Sequence, residues 1–91
     1  MNYAFKVVPT FWKKFHALSA PQKESVRRAW KIFKLDPFDA RLRTHKIHSL
    51  SAEYRRTIYA VDIEGDLRAV FFIRGEEVIT VDLGTHDIYK G

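Results

Sequence analysis

Five side chains of this 91-residue chain have types suited to moving protons near a phosphate: His45 and His48, three apart, then Arg68, His86 and Tyr89. Cleavage of RNA without a metal needs few parts. A base removes the proton of a 2′-hydroxyl, a cation stabilises the charge that builds on phosphorus, and an acid protonates the departing 5′-oxygen. Histidine suits the base and acid roles because its unperturbed pKa is about 6.5. The planar guanidinium of arginine matches phosphate oxygens. A tyrosine stacks on a base or orients the phosphate. Each residue also has a plain reading. By residue type alone the plain reading is the favoured one for His45, an exposed loop residue, and for His48, a surface or RNA contact. Arg68 reads as a surface ion pair close to Asp66, and Tyr89 as packing for the C-terminus. His16, on the first helix, has no partners that would support a catalytic role and reads as structural. The His45–His48 spacing occurs in zinc sites, but no cysteine accompanies it, so neither a metal nor another cofactor is expected.

The elements that must position these groups follow from periodicity. Tyr3 to Val8 reads as a strand ended by Pro9. Thr10 to Leu18 reads as a helix, with Phe11, Phe15 and Leu18 on one face. Ser19 followed three residues later by Gln22 is a capping-box pattern that opens a second helix running to about Leu35. Its apolar stripe is Val26, Ala29, Trp30 and Phe33, and Asp36-Pro37 stops it. Phe38 to Glu53 has no clean period. Three strands follow, Tyr54 to Asp62, Leu67 to Arg74 and Val78 to Leu83, joined by turns at Glu64-Gly65-Asp66 and Gly75. The order β-α-α-β-β-β predicts an α+β fold in which a helical hairpin packs on one face of a twisted, mostly antiparallel sheet. The other face is expected to remain open to a ligand.

Length limits the chain to one domain, residues 1–91. Seven Phe, four Tyr and two Trp supply a core for so small a unit. No cysteine is present, which fits a reducing, cytoplasmic setting. No apolar run reaches the roughly 20 residues that cross a bilayer, so no membrane association is expected. Met1 to Val8 is too short and polar for a signal peptide. Sixteen Lys and Arg against eleven Asp and Glu leave a net charge of +5, which points to an anionic partner, nucleic acid first.

Three ordered stretches in the second half of the chain resemble the RelE/ParE toxin superfamily. They are Arg43-Thr44-His45-Lys46-Ile47, Gly65-Asp66-Leu67-Arg68-Ala69-Val70-Phe71-Phe72, and Val81-Asp82-Leu83-Gly84-Thr85-His86-Asp87-Ile88-Tyr89. They are similar to the family's "HKL", "DLRIIF" and "DIGTHDEVY" stretches, and the branch most resembled is that of the YafQ-like and YoeB-like ribonucleases. The resemblance implies the toxin of a type II toxin–antitoxin system, an mRNA interferase that enters the ribosomal A site, contacts 16S rRNA and cuts mRNA there, inhibiting translation. By position His45 matches the general base, His86 the general acid, Arg68 the phosphate-stabilising cation and Tyr89 the C-terminal aromatic. Asp66 matches an aspartate that supports the site. Lys46, His48, Arg55 and Arg56 would contact RNA. A cognate antitoxin, acidic and partly disordered, is the implied protein partner. The chain departs from the pattern at Ser49, where the family has glycine, at Asp82, where some members have arginine, and in a shorter His86–Tyr89 interval.

Two other readings use the same scaffold. ParE-type relatives poison DNA gyrase by protein contact, and they generally lack the His45, Arg68 and His86 set. A non-catalytic or decayed RNA-binding domain is the other, favoured by Asp82 and the short tail.

Overall fold

The computed structural model describes residues 3 to 85 and residue 88. Strand β1 (Ala4–Val7) leads into helix α1 (Pro9–His16) and helix α2 (Ala20–Leu35). A 3-10 turn (Ala40–Leu42) precedes the two-residue strand β2 (His45–Lys46) and helix α3 (His48–Tyr54). Strands β3 (Tyr59–Glu64), β4 (Leu67–Arg74) and β5 (Glu77–Gly84) complete the sheet. The five strands lie in the order β1-β5-β4-β3-β2. β1 runs parallel to β5, and the remaining pairs are antiparallel.

Local chemistry accounts for the hairpin. Pro9 stands in the first turn of α1, where its missing N–H has no intrahelical partner to lose. Ser19 and Gln22 form the expected capping box: Gln22 N donates to Ser19 Oγ at 3.3 Å, and Ser19 N donates to Gln22 Oε1 at 3.1 Å. α2 ends at Leu35, with extended Asp36 as its C-cap before Pro37. The Asp36 carboxylate then accepts from Phe38 N at 2.9 Å and turns the chain back towards the sheet.

The hairpin buries Phe11, Phe15, Val26 and Phe33 against Val61, Ala69, Phe71, Val78 and Leu83 of the sheet. Phe33 meets Phe71 edge to face at 4.9 Å, a favoured aromatic geometry. The opposite face is not bare, contrary to the expectation that it stays open. Leu50 of α3 packs there on Ile58, Ala60 and Val70, with Ile47, Phe72, Val81 and Ile88 around them. The irregular middle of the sequence therefore supplies an edge strand and a second covering helix. α3 is only seven residues long, too short for its apolar period to stand out. It also displaces the start of the next strand from Tyr54 to Tyr59. The alternation itself survives, since Ile58 and Ala60 lie in the second cluster while Tyr59 and Val61 belong to the first.

Two register shifts shape the sheet. Val70 pairs with Asp82 but Phe71 with Thr80, so Val81 is an extra residue that bulges β5. A similar shift lies between Asp62 and Glu64 of β3. Gly84 closes β5, and a Cβ there would stand 2.6 Å from Ile88 Cγ2, so the missing side chain lets Ile88 seat on the second face.

Candidate active site

His45 lies in β2 at the outer edge of the sheet and is exposed. It is directly opposite Ala60 of β3, which is opposite Val70 of β4. Directly opposed residues of antiparallel strands share a face, so the His45 side chain projects from the face away from the α1–α2 hairpin. Arg68, two residues before Val70, shares that face and pairs with Asp62 on one side and Gly84 on the other. Two strand spacings of about 4.8 Å and two residues of about 3.4 Å put the Cα atoms of His45 and Arg68 roughly 12 Å apart.

The imidazole of His45 is oriented by its own chain. Nδ1 is 2.8 Å from the carbonyl oxygen of Arg43. A carbonyl only accepts, so Nδ1 carries the hydrogen and, in the neutral ring, Nε2 holds the free lone pair. Arg43 reaches this geometry in the left-handed region, at φ 50° and ψ 40°. That conformation costs a non-glycine residue about 1–2 kcal/mol. The turn before it is pinned by Asp39, whose carboxylate accepts from the backbone and side chain of Arg41. The Arg41 hydrogen bonds hold the Asp39 carboxyl at about 2, below its ordinary 3.8.

Arg68 is tightly held. Its side chain is only 12% exposed, and Nε lies 2.8 Å from Asp62 Oδ1. Nη1 donates to the carbonyl of Gly65 at 2.7 Å and to that of Leu67 at 3.2 Å. Asp62 Oδ1 is buried and takes no aligned hydrogen bond, so the pair is an ionic contact rather than a hydrogen-bonded fork. The ion-pair partner of Arg68 is thus Asp62 across the strand, not Asp66. Asp66 is exposed in the β3–β4 turn beside Gly65, and the Arg68–Gly65 bond clamps that turn.

The expected RNA contacts divide. Arg56 lies with its guanidinium carbon 4.3 Å from the ring centre of Phe72, whose side chain belongs to the His45–Arg68 face. This gives that face a flat cation backed by an aromatic ring. His48 is exposed at the first residue of α3, and exposed Arg55 caps the helix at φ 57°. Lys46 pairs with Tyr59, which stacks on Phe71 in the hairpin-side core, so Lys46 projects from the opposite face to His45. His86 and Tyr89 lie outside the described residues. Tyr54 is exposed, and His16 is exposed at the end of α1, its ring 6.5 Å from that of Trp12 on the hairpin.

Sequence reasoning missed three participants: Arg43, Asp62 and Phe72. Asp62 was within reach of it. Counting back across the Gly65 turn sets an aspartate opposite an arginine, a favourable cross-strand pair. No residue-type signal marks Arg43, because arginine is not a residue expected at positive φ.

Among the described residues no cluster of three or more His, Asp or Glu stands together, and no helix is long and apolar enough to cross a membrane.

The fold is that of solved toxin structures. YafQ from E. coli strain BL21(DE3) superposes with a TM-score of 0.72 at 13% identity, over 98% of this chain and 99% of that one. A chain of the archaeal RelE–RelB complex from Pyrococcus horikoshii OT3 gives 0.71 at 14% identity, over 93% and 96%. A copper-bound mutant toxin from Helicobacter pylori gives 0.62 at 19% identity, over 97% and 98%. No protein-family model matches the chain, and no curated protein matches it in sequence.

Proposed function

We propose that this chain is a RelE-type toxin, an endoribonuclease that cleaves mRNA on the ribosome by metal-independent acid–base catalysis. The observation that carries the reading is the shared face of His45 and Arg68, on which the His45 Nε2 lone pair is left free by the Nδ1 contact to Arg43. In this scheme His45 Nε2 accepts the 2′-hydroxyl proton as the 2′-oxygen attacks phosphorus. Arg68 stabilises the charge on the non-bridging oxygens. His86 protonates the 5′-oxygen as the P–O5′ bond breaks, leaving a 2′,3′-cyclic phosphate and a 5′-hydroxyl. Tyr89 supplies the aromatic surface at the C-terminus. Arg56 on Phe72, with His48 and Arg55, contacts the RNA or the ribosome around the site, Lys46 meets the ribosome from the other face of the same sheet edge, and Asp66 keeps the β3–β4 turn beside Arg68. The solved RelE neighbour was crystallised with RelB, which supports a protein antitoxin, acidic and partly disordered, as the partner here. The cytoplasm is the compartment in which these partners meet.

The second reading, a non-catalytic RNA-binding domain on the same scaffold, is favoured by one observation: Arg68 is already neutralised by Asp62. In vitro translation of a defined mRNA separates the two. The nuclease shortens the message only when ribosomes are present and leaves a cyclic phosphate end. Intact mRNA under those conditions removes the nuclease reading. A gyrase poison would leave translation untouched and relax or cleave DNA with gyrase.

A further inference from the structure

We infer that the cleft between the 3-10 turn and the outer edge of β3 is a base-reading subsite that takes a guanine of the RNA beside the bond to be cut. The inference rests on the nuclease reading and names the base that accompanies its phosphate. β2 pairs with β3 only through His45 and Lys46, so among the described residues the outer edge of β3 has no strand partner beyond Ala60. The chain leaves that ladder at Arg43, whose left-handed backbone turns it aside. The cleft left between them has a volume of about 290 Å³ and is lined by Arg41, Arg43, Asp62, Ile63, Glu64 and Gly65. Half of these residues touch the proposed catalytic pair. The Arg43 carbonyl oxygen holds His45 Nδ1, Asp62 pairs with Arg68, and the Gly65 carbonyl accepts from Arg68 Nη1. A base seated in the cleft therefore belongs to the nucleotide at the scissile phosphate or to its neighbour.

Donors and acceptors select the occupant. Asp62 is engaged by Arg68, and Arg41 by Asp39. Arg43 and Glu64 are exposed, and among the described residues their side chains are free of ion pairs and hydrogen bonds. Arg43 thus has parallel N–H groups to donate, and Glu64 has two oxygens to accept. Guanine is the base with matching edges: O6 and N7 accept side by side, and N1–H and the 2-amino group donate side by side. Adenine and uracil have neither paired edge, and cytosine has only paired acceptors. A bare phosphate fits less well, because Asp62 and Glu64 stand in the same cleft. Arg41, fixed by its hydrogen bonds to Asp39, gives a flat guanidinium on which a ring can stack, and half-buried Ile63 adds apolar surface.

The probes are the 5′-monophosphates of the four ribonucleosides, titrated into the nitrogen-labelled protein and followed by NMR at the Gly65 amide and the Arg43 side-chain Nε–H. GMP should shift both and bind about tenfold more tightly than AMP, CMP or UMP. IMP, which lacks the 2-amino group, should bind more weakly than GMP. Glu64→Gln, at an exposed position, should remove the preference, since an amide presents a donor where a second acceptor is needed. Glu76→Gln removes the same charge at the exposed β4–β5 turn and should change nothing. On programmed ribosomes, mRNAs that differ only in the base beside the cut should be cleaved about tenfold faster with G, and Glu64→Gln should level them. Four nucleotides that bind alike, a GMP preference that survives Glu64→Gln, or shifts confined to residues outside the cleft overturn the proposal. So does GMP binding that Glu64 controls together with cleavage indifferent to Glu64, the mark of a site for free nucleotide. Base-selective binding by a protein that cuts no mRNA defeats only the nuclease reading, and cleavage without base selection defeats only this one.

Discussion

The Nδ1 atom of His45 is 2.8 Å from the carbonyl oxygen of Arg43, two residues earlier in the chain. That contact sets the tautomer of the imidazole, and it exists because Arg43 adopts a left-handed conformation that turns its carbonyl onto the ring.

Arg43→Gly should preserve this geometry at lower conformational cost. Arg43→Val should disturb it, because a β-branched residue tolerates positive φ poorly. His45→Ala should lower single-turnover cleavage about a hundredfold in a folded protein. Nitrogen-detected NMR of the histidine ring checks the tautomer directly: a hydrogen found on Nε2 in the neutral ring would refute the proposed base.

Arg68 and Asp62 form a half-buried pair, with side chains 12% and 24% exposed. Arg68→Ala should cost about 1–3 kcal/mol in urea unfolding, chiefly because Asp62 is left alone. Asp62→Asn should cost less, and it releases the guanidinium from its ion pair. A double-mutant cycle should therefore show coupling of about 1 kcal/mol or more. For the nuclease reading, Asp62→Asn retains cleavage while Arg68→Ala loses about a hundredfold beyond its stability effect. Equal activity of the two variants would assign Arg68 a purely structural role.

Thr80 is 2% exposed, and its hydroxyl has no hydrogen-bond partner. It lines an apolar space between the hairpin and the sheet with Phe11, Trp30 and Phe71 among its neighbours. Thr80→Val keeps the shape and removes the unsatisfied group. The variant should be more stable by about 1 kcal/mol. For a domain of this size that corresponds to a rise of about 4–8 °C in Tm, measured by calorimetry. A lower Tm would mean that the hydroxyl does find a partner.

Two carboxylates titrate low for local reasons. Arg41 hydrogen bonds hold Asp39 at about 2 against an ordinary 3.8, and Lys6 and Arg74 hold Glu77 below its ordinary 4.5. Depressed folded pKa values contribute stability above the unfolded values and lose it as pH falls through the folded ones. Thermal stability should therefore decline from about pH 4.5 towards pH 2, modestly because the cations that pair with both groups are exposed at the surface and screened. Glu77→Gln should flatten the upper part of that decline. An unchanged profile would show that the Lys6–Glu77 and Glu77–Arg74 contacts do not persist in solution.

The helical hairpin, its capping box, the stop at Asp36-Pro37 and the limits of β4 were legible in the sequence, because caps, turns and apolar period are written within a few neighbouring residues. β4 begins at Leu67 and ends at Arg74 as its alternation indicates. The candidate base and cation, His45 and Arg68, were also named from the sequence, by residue type and family resemblance. Tertiary structure decided the rest. β2 has two residues and exists only because β3 offers it an edge, and β1 joins β5 in parallel from the far end of the chain. The placing of His45 and Arg68 on one face, of Lys46 on the other, and of Asp62 beside Arg68 depends on strand register. Register is fixed by pairing between distant segments, and a shift of one residue would invert every one of those placements.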